Sequence, residues 1–352
     1  MTYPPLSLPL KGLYRLYQYF KSYFIIVVMQ PKLKIGIVGY GNLGRGVELA
    51  IHQNPDMELV AIFTRRPPNH LGKSNAYAYA QLEEFKGKID VMILCGGSAK
   101  DLPQQIGEVA KSFHTVDSYD THAQIPEYFE QVDAIAKANG NVCVISTGWD
   151  PGLFSLARVL GQSVLPEGAD YTFWGKGLSQ GHSDAIRRVP GVKNGVQYTI
   201  PLEEAIQKAR SGENPVLSTV EKHQRVCYVV PEEGVNLEEI EQAIKTMPHY
   251  FEPYQTTVHF ISEETLRTEH SSMPHGGMVL RTGKSANGSK QRLEFQLELE
   301  SNPEFTASVL VAYARAVGKL AKEGQIGAKT VFDIPLGYLS PKKPEDLRKE
   351  IL

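Results

Sequence analysis

The chain has 352 residues, 42% of them hydrophobic, and its 37 basic and 39 acidic side chains leave a formal net charge of −2. A chain of this length can form two domains, each with a hydrophobic core of its own. The near-neutral balance lacks the basic surface that a nucleic acid or an anionic membrane would require, so we expect a small-molecule ligand and neither of those partners.

Residues 1–30 form an unusual N-terminal extension. Aromatic and aliphatic side chains are mixed there with basic ones, and the uncharged stretch at 22–28 is too short to span a bilayer. A signal peptide would need a longer apolar core and a small-residue cleavage site. We expect either that Met29 is the natural start or that residues 1–30 are a dispensable, non-native arm; a membrane-binding helix is the alternative.

A glycine-rich turn follows the first predicted strand, residues 34–38. It consists of Gly39, Tyr40, Gly41, Asn42, Leu43 and Gly44. The glycines allow a tight turn, close approach of a pyrophosphate to a helix N-terminus, and close packing of that helix on the strand. An amphipathic helix and a second apolar strand at 58–63 follow, so the motif lies in the βαβ context that it requires.

The end of this second strand indicates which nicotinamide cofactor binds. An NAD-binding unit normally has an Asp or Glu there for the ribose 2′-hydroxyl, whereas this chain has Thr64, Arg65 and Arg66. Two arginines would attract a 2′-phosphate, which predicts NADP. The alternative is a pair of solvated loop arginines.

Three further apolar strands, at 91–95, 114–117 and 141–145, end in small, polar or acidic residues. These residues are Gly96, Gly97 and Ser98 after the first strand, Ser118, Tyr119, Asp120 and Thr121 after the second, and Ser146, Thr147, Gly148, Trp149, Asp150 and Pro151 after the third. Ligands of parallel sheets bind beyond the carboxyl ends of the strands, so these residues predict one shared cleft.

The order of elements predicts an α/β fold. A Rossmann-type doubly wound parallel sheet is expected over the dinucleotide-binding domain, residues 31–150. A substrate-binding domain at 151–302 is expected to be α+β with a mixed or antiparallel open sheet. A C-terminal helix within 303–345 is expected to return to the first domain.

Several loop side chains allow both a functional and a structural interpretation. Trp174 lies in a glycine-rich loop that could close over a ligand, or its indole is simply buried. A turn histidine such as His275 is more often exposed than functional. The capping of a short helix could by itself explain Ser183 and Asp184. Their contiguity with His182 argues against a hydrolytic triad.

The histidines and cysteines exclude two further classes. No His-x-x-His or Cys-x-x-Cys spacing occurs, so no metal is expected. Cys95, Cys143 and Cys227 are few, odd in number and set in apolar runs. This usage favours reduced thiols and a cytoplasmic location.

The chain resembles the meso-diaminopimelate dehydrogenase family from about residue 34 to about residue 340. The segments that carry the resemblance are VGYGNLGR from Val38, VDSYD from Val116, STGWDPG from Ser146, TFWGKGLSQGHSDAIRRVPGV from Thr172, VQYT from Val196, MPHGG from Met273 and NPEFTAS from Asn302. The long segment from Thr172 is very specific.

The resemblance implies a cytoplasmic, homodimeric oxidoreductase of lysine and diaminopimelate biosynthesis. Such an enzyme would catalyse the reversible NADP-dependent oxidative deamination of the D-centre of meso-2,6-diaminopimelate to L-2-amino-6-oxopimelate and ammonia. The region at 151–302 would then also carry the dimer contacts.

The resemblance also implies the site residues. Substrate positions fall on Asp120, Asp150, Trp174, Gln180, Gly181, Thr199, Arg225, His275 and a loop asparagine assigned to Asn287. With the glycine-rich turn, cofactor positions fall on Gly39, Tyr40, Gly41, Asn42, Leu43, Gly44, Thr64, Arg65, Arg66, Cys95, Gly96, Gly97, Ser98, Ser118, Tyr119, Asp120, Thr147, Gly148, Trp149, Asp150 and Pro151. Arg225 would clamp a distal carboxylate, and Asp120 or Asp150 would accept the substrate proton.

Three alternatives stay open at this point. A broader D-amino acid dehydrogenase or a dihydrodipicolinate-reductase-like imine reductase would share the cofactor domain. A non-catalytic NADP-binding sensor is a more distant alternative. A pocket built around Arg225 and His275 for a distal carboxylate would disfavour monocarboxylic D-amino acids. Activity on such substrates therefore distinguishes a broader D-amino acid dehydrogenase from an enzyme specific for diaminopimelate.

Overall fold

A computed structural model describes residues 31–352 except Ala99 and His249. The predicted N-terminal extension lies outside the described residues. Leu33–Leu352 form one compact unit, and the boundary near residue 150 stays a prediction.

The elements of the first half alternate between strand and helix. In chain order they are β1 (Leu33–Val38), α1 (Asn42–His52), β2 (Met57–Thr64), β3 (Ala76–Ala78), β4 (Val91–Leu94), α2 (Leu102–Val109), β5 (His114–Asp117), α3 (Ile125–Asn139) and β6 (Val142–Val144). Short 3₁₀ helices lie at Pro68–Leu71, Tyr79–Phe85 and His122–Gln124.

The second half is richer in antiparallel strands. Its elements are α4 (Leu153–Val164), β7 (Gly168–Trp174), β8 (Gly177–Leu178), α5 (Gln180–Ile186), β9 (Val192–Pro201), α6 (Glu203–Arg210), α7 (Thr219–Lys222), β10 (His223–Pro231), α8 (Leu237–Lys245), β11 (Thr256–Phe260), α9 (Glu263–Glu269), β12 (His275–Lys284), β13 (Lys290–Leu299), α10 (Asn302–Lys322), β14 (Gly327–Lys329), α11 (Leu336–Leu339) and α12 (Pro344–Ile351). Two more 3₁₀ turns lie at Ala286–Gly288 and Val331–Asp333.

Seven parallel strands form the first sheet, in the order β14-β6-β5-β4-β1-β2-β3. Alternate residues of each strand enter different cores because side chains of a strand point to opposite faces. Ile35 and Ile37 pack with α1 and α10, whereas Val38 packs with α2 and α3. The doubly wound sheet predicted from the sequence is confirmed, with its switch point between β1 and β4.

The second half contains two sheets where the sequence predicts one. A four-stranded mixed sheet has the order β11-β10-β9-β8, and a three-stranded antiparallel sheet has the order β13-β12-β7. The chain passes from one sheet to the other at Gly175, whose φ of +111° is one that residues with a side chain rarely adopt. The predicted α+β class is correct. The strands fall into two sheets because the chain turns at Gly175.

Helix α10 lies against the first sheet and α1. The sequence indicates one apolar face through Phe305, Val309, Ala312 and Ala316, but Leu310, Val311 and Tyr313 are buried too. A helix between a sheet and another helix must be apolar around more of its circumference than a surface helix. No helix in the described part of the chain is long and apolar enough to cross a bilayer.

Candidate active site

A groove of about 340 Å³ lies at the carboxyl ends of β1, β2 and β4. Its lining includes the predicted cofactor residues Gly39, Tyr40, Gly41, Thr64, Arg65, Arg66, Cys95, Gly96 and Gly97. A Cβ atom on Gly44 would lie 2.2 Å from the carbonyl oxygen of Gly39, so the turn requires glycine there. The buried Oε1 of Gln105, which also lines the groove, lacks a hydrogen-bond partner among the described residues. The position of the groove, at the strand ends and beside the glycine-rich turn, fits a dinucleotide.

The two arginines at the end of β2 have different partners. Arg65 donates Nη2 to Asp101 Oδ1 at 2.7 Å, and its side chain is 62% exposed. Arg66 donates Nη2 to the carbonyl of Tyr40 at 2.6 Å. Both guanidinium groups therefore border the groove next to the glycine-rich turn, where an adenosine ribose would lie.

A second cavity, of about 670 Å³, adjoins the carboxyl ends of β5 and β6. It is lined by Ser118, Asp120, His122, Thr147, Gly148, Trp149, Asp150, Pro151, Trp174, Ser179, His182, Thr199, Arg225, His275, Asn302 and Thr306. We call this cavity the cleft. The strand ends singled out in the sequence thus form one wall, and the four-stranded sheet contributes another.

Asp120 is one of two acids that line the cleft, and it is exposed. Its backbone N–H donates to Ser98 Oγ at 2.8 Å. Below it, the buried Asp117 carboxylate accepts the backbone N–H groups of Tyr119 and Ser146 at 2.9 and 3.0 Å. Burial raises the pKa of Asp117 to about 6. The loops after β5 and β6 are thereby tied together.

Asp150, the second acid, is bound on both carboxylate oxygens. Arg158 donates Nη1 to Oδ1 at 2.9 Å and Nη2 to Oδ2 at 3.1 Å. Trp174 donates its indole N–H to Oδ2 at 2.7 Å. The Asp150 side chain is only 3% exposed. The two acids of the cleft therefore differ in kind: one is ion-paired and buried, the other is open.

Arg225 supplies a buried positive charge. Antiparallel pairing of β9 and β10 places it directly opposite Thr199, whose hydroxyl oxygen accepts its Nη1. The guanidinium carbon lies 4.0 Å from the centre of the Tyr254 ring. Its Nε has no hydrogen-bond partner within the described residues, and no carboxylate among them pairs with it. Arginine stays protonated even when burial lowers its pKa, so the Arg225 guanidinium is a desolvated cation that is suited to binding an anion.

Three histidines lie around this cation. Burial and the Arg225 charge lower the pKa of His182 to about 4, and burial lowers that of His223 to about 4. Burial also lowers the pKa of His275. His223 Nε2 accepts the backbone N–H of Trp174 at 2.8 Å and so fixes that residue. With a pKa of about 4, His182 and His223 are neutral at pH 7, so the positive charge that the cleft offers a carboxylate comes from Arg225.

His275 approaches Gly177 so closely that a Cβ there would lie 2.6 Å from its Nδ1. That nitrogen accepts the Gly276 backbone N–H at 2.8 Å. Trp149 lies on the other side of the imidazole, with ring centres 4.9 Å apart, and donates its indole N–H to Asn302 Oδ1 at 2.9 Å. The ring of His275 is thus held in one orientation at the cleft.

Some predicted site residues lie outside both cavities. Gln180 and Gly181 begin α5 at the cleft entrance, and Gln180 Nε2 contacts Met273 Sδ at 3.3 Å. The side chain of Tyr119 packs on Tyr128 in the core, with ring centres 4.0 Å apart. Leu43 also packs against the core. These residues can contribute to binding through their backbone or at the rim.

The structure does not bring Asn287 to the cleft. It lies at the exposed tip of the hairpin between β12 and β13. β12 starts at His275 and runs away from the cleft for ten residues, which at about 3.3 Å each is roughly 30 Å. The asparagine that lines the cleft is Asn302, at the start of α10.

Sequence reasoning missed other residues of the two cavities. In the sequence, Asn302 is marked only as the first residue of the NPEFTAS segment, and His182 only as a neighbour of Ser183 and Asp184. No local signal marks Arg158, Tyr254 or Gln105. Within the described residues, no group of three or more His, Cys, Asp or Glu side chains could hold a metal ion.

Comparison with known proteins identifies the relatives of this chain. Residues 148–301 match the family described as the diaminopimelic acid dehydrogenase C-terminal domain. The chain is 65% identical over 324 residues to meso-diaminopimelate D-dehydrogenase of Ureibacillus thermosphaericus, covering 91% of this chain and 99% of that one.

Solved structures agree with the sequence relatives. A meso-dapdh mutant from Clostridium tetani with DAP has 61% identity and a TM-score of 0.86, over 91% of this chain and 100% of that one. An engineered D-amino acid dehydrogenase bound to NADP+ has 44% identity and a TM-score of 0.79, over 91% and 100%. The chain therefore belongs to the family of meso-diaminopimelate D-dehydrogenases, enzymes that use a nicotinamide cofactor.

Proposed function

We propose that this protein catalyses the reversible, NADP-dependent oxidative deamination of the D-centre of meso-2,6-diaminopimelate, which yields L-2-amino-6-oxopimelate and ammonia. The observation that carries the proposal is Arg225, a buried cation in the cleft with no acidic partner among the described residues. A buried cation without a counterion is costly, so a ligand that supplies the anion is bound favourably. Asp120, on the wall next to the cofactor groove, complements an ammonium group.

The chain's own side chains supply binding and proton transfer. Arg225 and Thr199 bind the carboxylate of the distal L-centre and so orient the D-centre toward the cofactor groove. Asp120 removes a proton from the D-centre ammonium, because the amine must be neutral before its α-carbon loses hydride. When bound, the nicotinamide accepts that hydride. Asp120 passes the proton to solvent and, again as a carboxylate, takes a proton from the water that adds to the substrate iminium. It returns that proton to the amine nitrogen, and ammonia leaves as the carbonyl forms.

The Clostridium tetani structure gives independent support for these residues. That protein contains DAP and is altered at six positions, and the six original residue types recur in this chain with the same spacing. They fall here on Gln180, Thr199, Arg225, Pro274, His275 and Asn302. Four of the six line the cleft: Thr199, Arg225, His275 and Asn302.

A spectrophotometric assay of NADP+ reduction tests the proposed function. We expect activity with meso-diaminopimelate, none with the LL isomer, and much less with D-alanine, which has no distal carboxylate for Arg225. Comparable rates with D-alanine would favour the broader D-amino acid dehydrogenase. Absence of activity with the meso isomer would refute the proposal.

The preference for NADP rests on Arg65 and Arg66. We expect the double variant Arg65→Ala and Arg66→Ala to bind NADP+ at least about 100-fold more weakly, because two charge-assisted contacts to a phosphate, at about 1.5–3 kcal/mol each, together contribute about 3 kcal/mol or more. NAD+ has no 2′-phosphate, so its affinity should change little. Dissociation constants for both cofactors, from titration of the protein's tryptophan fluorescence, measure the difference.

The matched control is Arg267→Ala. This arginine is 71% exposed, and its one carboxylate partner in the described part of the chain is Glu264 on α9, outside both cavities. It should leave both affinities unchanged. If the double variant weakens NAD+ as much as NADP+, the two arginines do not distinguish the cofactors.

We infer that the protein is a homodimer. Val159, Leu160 and Val164 on α4 and Leu293 and Phe295 on β13 are exposed apolar side chains. The rings of Phe154 and Phe295 lie 6.0 Å apart, so the helix and the strand are adjacent. An apolar surface of this kind is suited to a partner subunit. Sedimentation equilibrium should give twice the chain mass; a monomer mass would contradict the inference.

We place this activity in lysine and diaminopimelate biosynthesis in the cytoplasm. The three cysteines are free, and two of them are buried. Thiols of this kind suit a reducing compartment. Fractionation of the native host should recover the activity with cytoplasmic enzymes, and recovery with membranes would contradict this location.

A further inference from the structure

Arg158 is the residue that makes the two acids of the cleft differ, because it forms an ion pair with Asp150. It lies on α4, away from every strand end, and reaches Asp150 with both terminal nitrogens. Its remaining hydrogen bonds go to one acceptor, because Nε and Nη2 donate to Thr172 Oγ1 at 3.1 and 3.0 Å. The guanidinium therefore links α4, β7 and the loop after β6.

This arrangement restricts what Asp150 can do. Its two oxygens already accept three N–H groups, two from Arg158 and one from the Trp174 indole. A buried carboxylate with a bidentate arginine is compensated in charge and fixed in orientation. Protonation of Asp150 would break this ion pair and leave the half-buried Arg158 without its carboxylate partner.

Asp120 shows the opposite properties. Its carboxylate forms no ion pair within the described part of the chain, and it is exposed in the cleft. Its position is fixed through the backbone, by the Ser98 contact and by the Asp117 bonds to the same loop. Asp120 is thus both free to take a proton and held in place.

We propose that Arg158 is a positioning residue for the deamination, holding Asp150 as a fixed, compensated anchor for Trp174 and leaving Asp120 as the acid that receives the substrate proton. The proposal rests on the proposed function. Arg158 contacts neither reacting atom, and it acts through Asp150 and Trp174.

Several other charged or titratable groups face Asp150. His275 approaches from β12, and its ring interacts electrostatically with the Asp150 charge. His223 stacks on the Trp174 indole with ring centres 5.4 Å apart, and Lys222 lies 5.8 Å from that ring. Burial lowers the pKa of His223 and of Lys222. Asp120 and Arg225 complete the charges that line the cleft. Among the residues that the structure describes, only Arg158 is in direct ionic contact with Asp150.

The test compares Arg158→Met with Arg158→Lys in the full chain, using pH profiles of kcat/KM for meso-diaminopimelate. In Arg158→Met two uncompensated carboxylates share the cleft, so one of them should take up a proton more readily, and the acidic limb should move up by about one pH unit. Misplacement of Trp174 should also lower kcat by about 100-fold. Arg158→Lys keeps the charge but loses the fork, so the limb should stay near its wild-type position while kcat falls.

A matched control separates positioning from stability. Arg281, whose side chain is 7% exposed against 25% for Arg158, also pairs with a carboxylate, Asp170 at 3.0 Å, and binds backbone carbonyls, but it lies outside the cleft. Arg281→Met should lose stability without moving the acidic limb. The proposal would be overturned if the acidic limb of the kcat/KM profile did not move in Arg158→Met. It would also be overturned if the limb of Arg158→Lys moved up by as much as is expected for the methionine variant.

The two proposals fail differently. If the wild-type protein does not oxidise meso-diaminopimelate, the proposed function is wrong. If the wild type is active but the limb of Arg158→Met does not move, only the role of Arg158 is wrong. Should Arg158→Met not fold, the lysine variant still decides, because loss of kcat with an unmoved limb supports the proposal and unchanged kcat refutes it.

Discussion

Replacing Arg225 by alanine is expected to reduce kcat/KM for meso-diaminopimelate by about a thousandfold, since truncating one partner of a buried charge pair costs about 4 kcal/mol. The side chain is 7% exposed and stacked on Tyr254, so water cannot easily replace it. The substrate carboxylate would then be desolvated against Thr199 alone. Most of the loss should appear in KM, because the distal carboxylate is bound equally in the ground and transition states.

The substrate provides the control for this variant. D-alanine has no distal carboxylate, so Arg225→Ala should change its kcat/KM by less than about threefold, and the preference for diaminopimelate should collapse. Arg225→Lys should fall between wild type and alanine, because an ammonium keeps the charge but cannot bind bidentately. Unchanged kcat/KM for diaminopimelate in a folded Arg225→Ala protein would remove Arg225 from the pocket.

The fold and one wall of the cleft could be predicted because both follow from local patterns. Apolar strands alternating with helices specify the parallel sheet, and parallel strands bring the residues after β5 and β6 to one edge. Asp120 and Asp150 meet at the cleft for this reason. The glycine-rich turn borders its groove because backbone geometry there depends on only a few residues.

The other wall could not be derived from local patterns. Arg225 and Thr199 face each other through the register of β9 and β10, and a sequence spacing does not specify that register. Only the family resemblance placed them in the site. Tyr254 precedes β11 and reaches Arg225 through the tertiary fold, so no periodicity marks it.

Two assignments show the same limit at single residues. Arg158 lies on an amphipathic helix, and on such a helix the sequence pattern predicts that an arginine is solvated. Its pairing with Asp150 is visible only in the structure. Asn287 was chosen because its loop is rich in glycine, yet the length of β12 carries that loop away from the cleft. Asn302 is near because α10 starts beside Trp149, which is a property of helix placement.

The variant Asp120→Asn is expected to lower kcat for meso-diaminopimelate by about a thousandfold to ten-thousandfold, the upper range for loss of a positioned general base. Asparagine has the same shape and keeps the backbone bond to Ser98, but its amide cannot take the proton of the substrate ammonium. In kcat/KM, the reductive direction, with the oxo acid, ammonia and NADPH, should lose the same factor as the oxidative direction at equal pH, because the unchanged equilibrium constant fixes the ratio of the two. Steady-state rates in both directions measure it.

The surface variant Asp184→Asn serves as the control. Its carboxylate is 59% exposed and pairs with Arg187 outside both cavities, so activity should be unaffected. NADP+ affinity of Asp120→Asn should also stay within about threefold of wild type, since asparagine keeps the backbone of this predicted cofactor-contacting loop and the phosphates bind at the glycine-rich turn. If instead Asp150→Asn loses kcat as severely as expected here while Asp120→Asn remains active, the proton acceptor is Asp150, and the buried ion pair with Arg158 must open during each turnover.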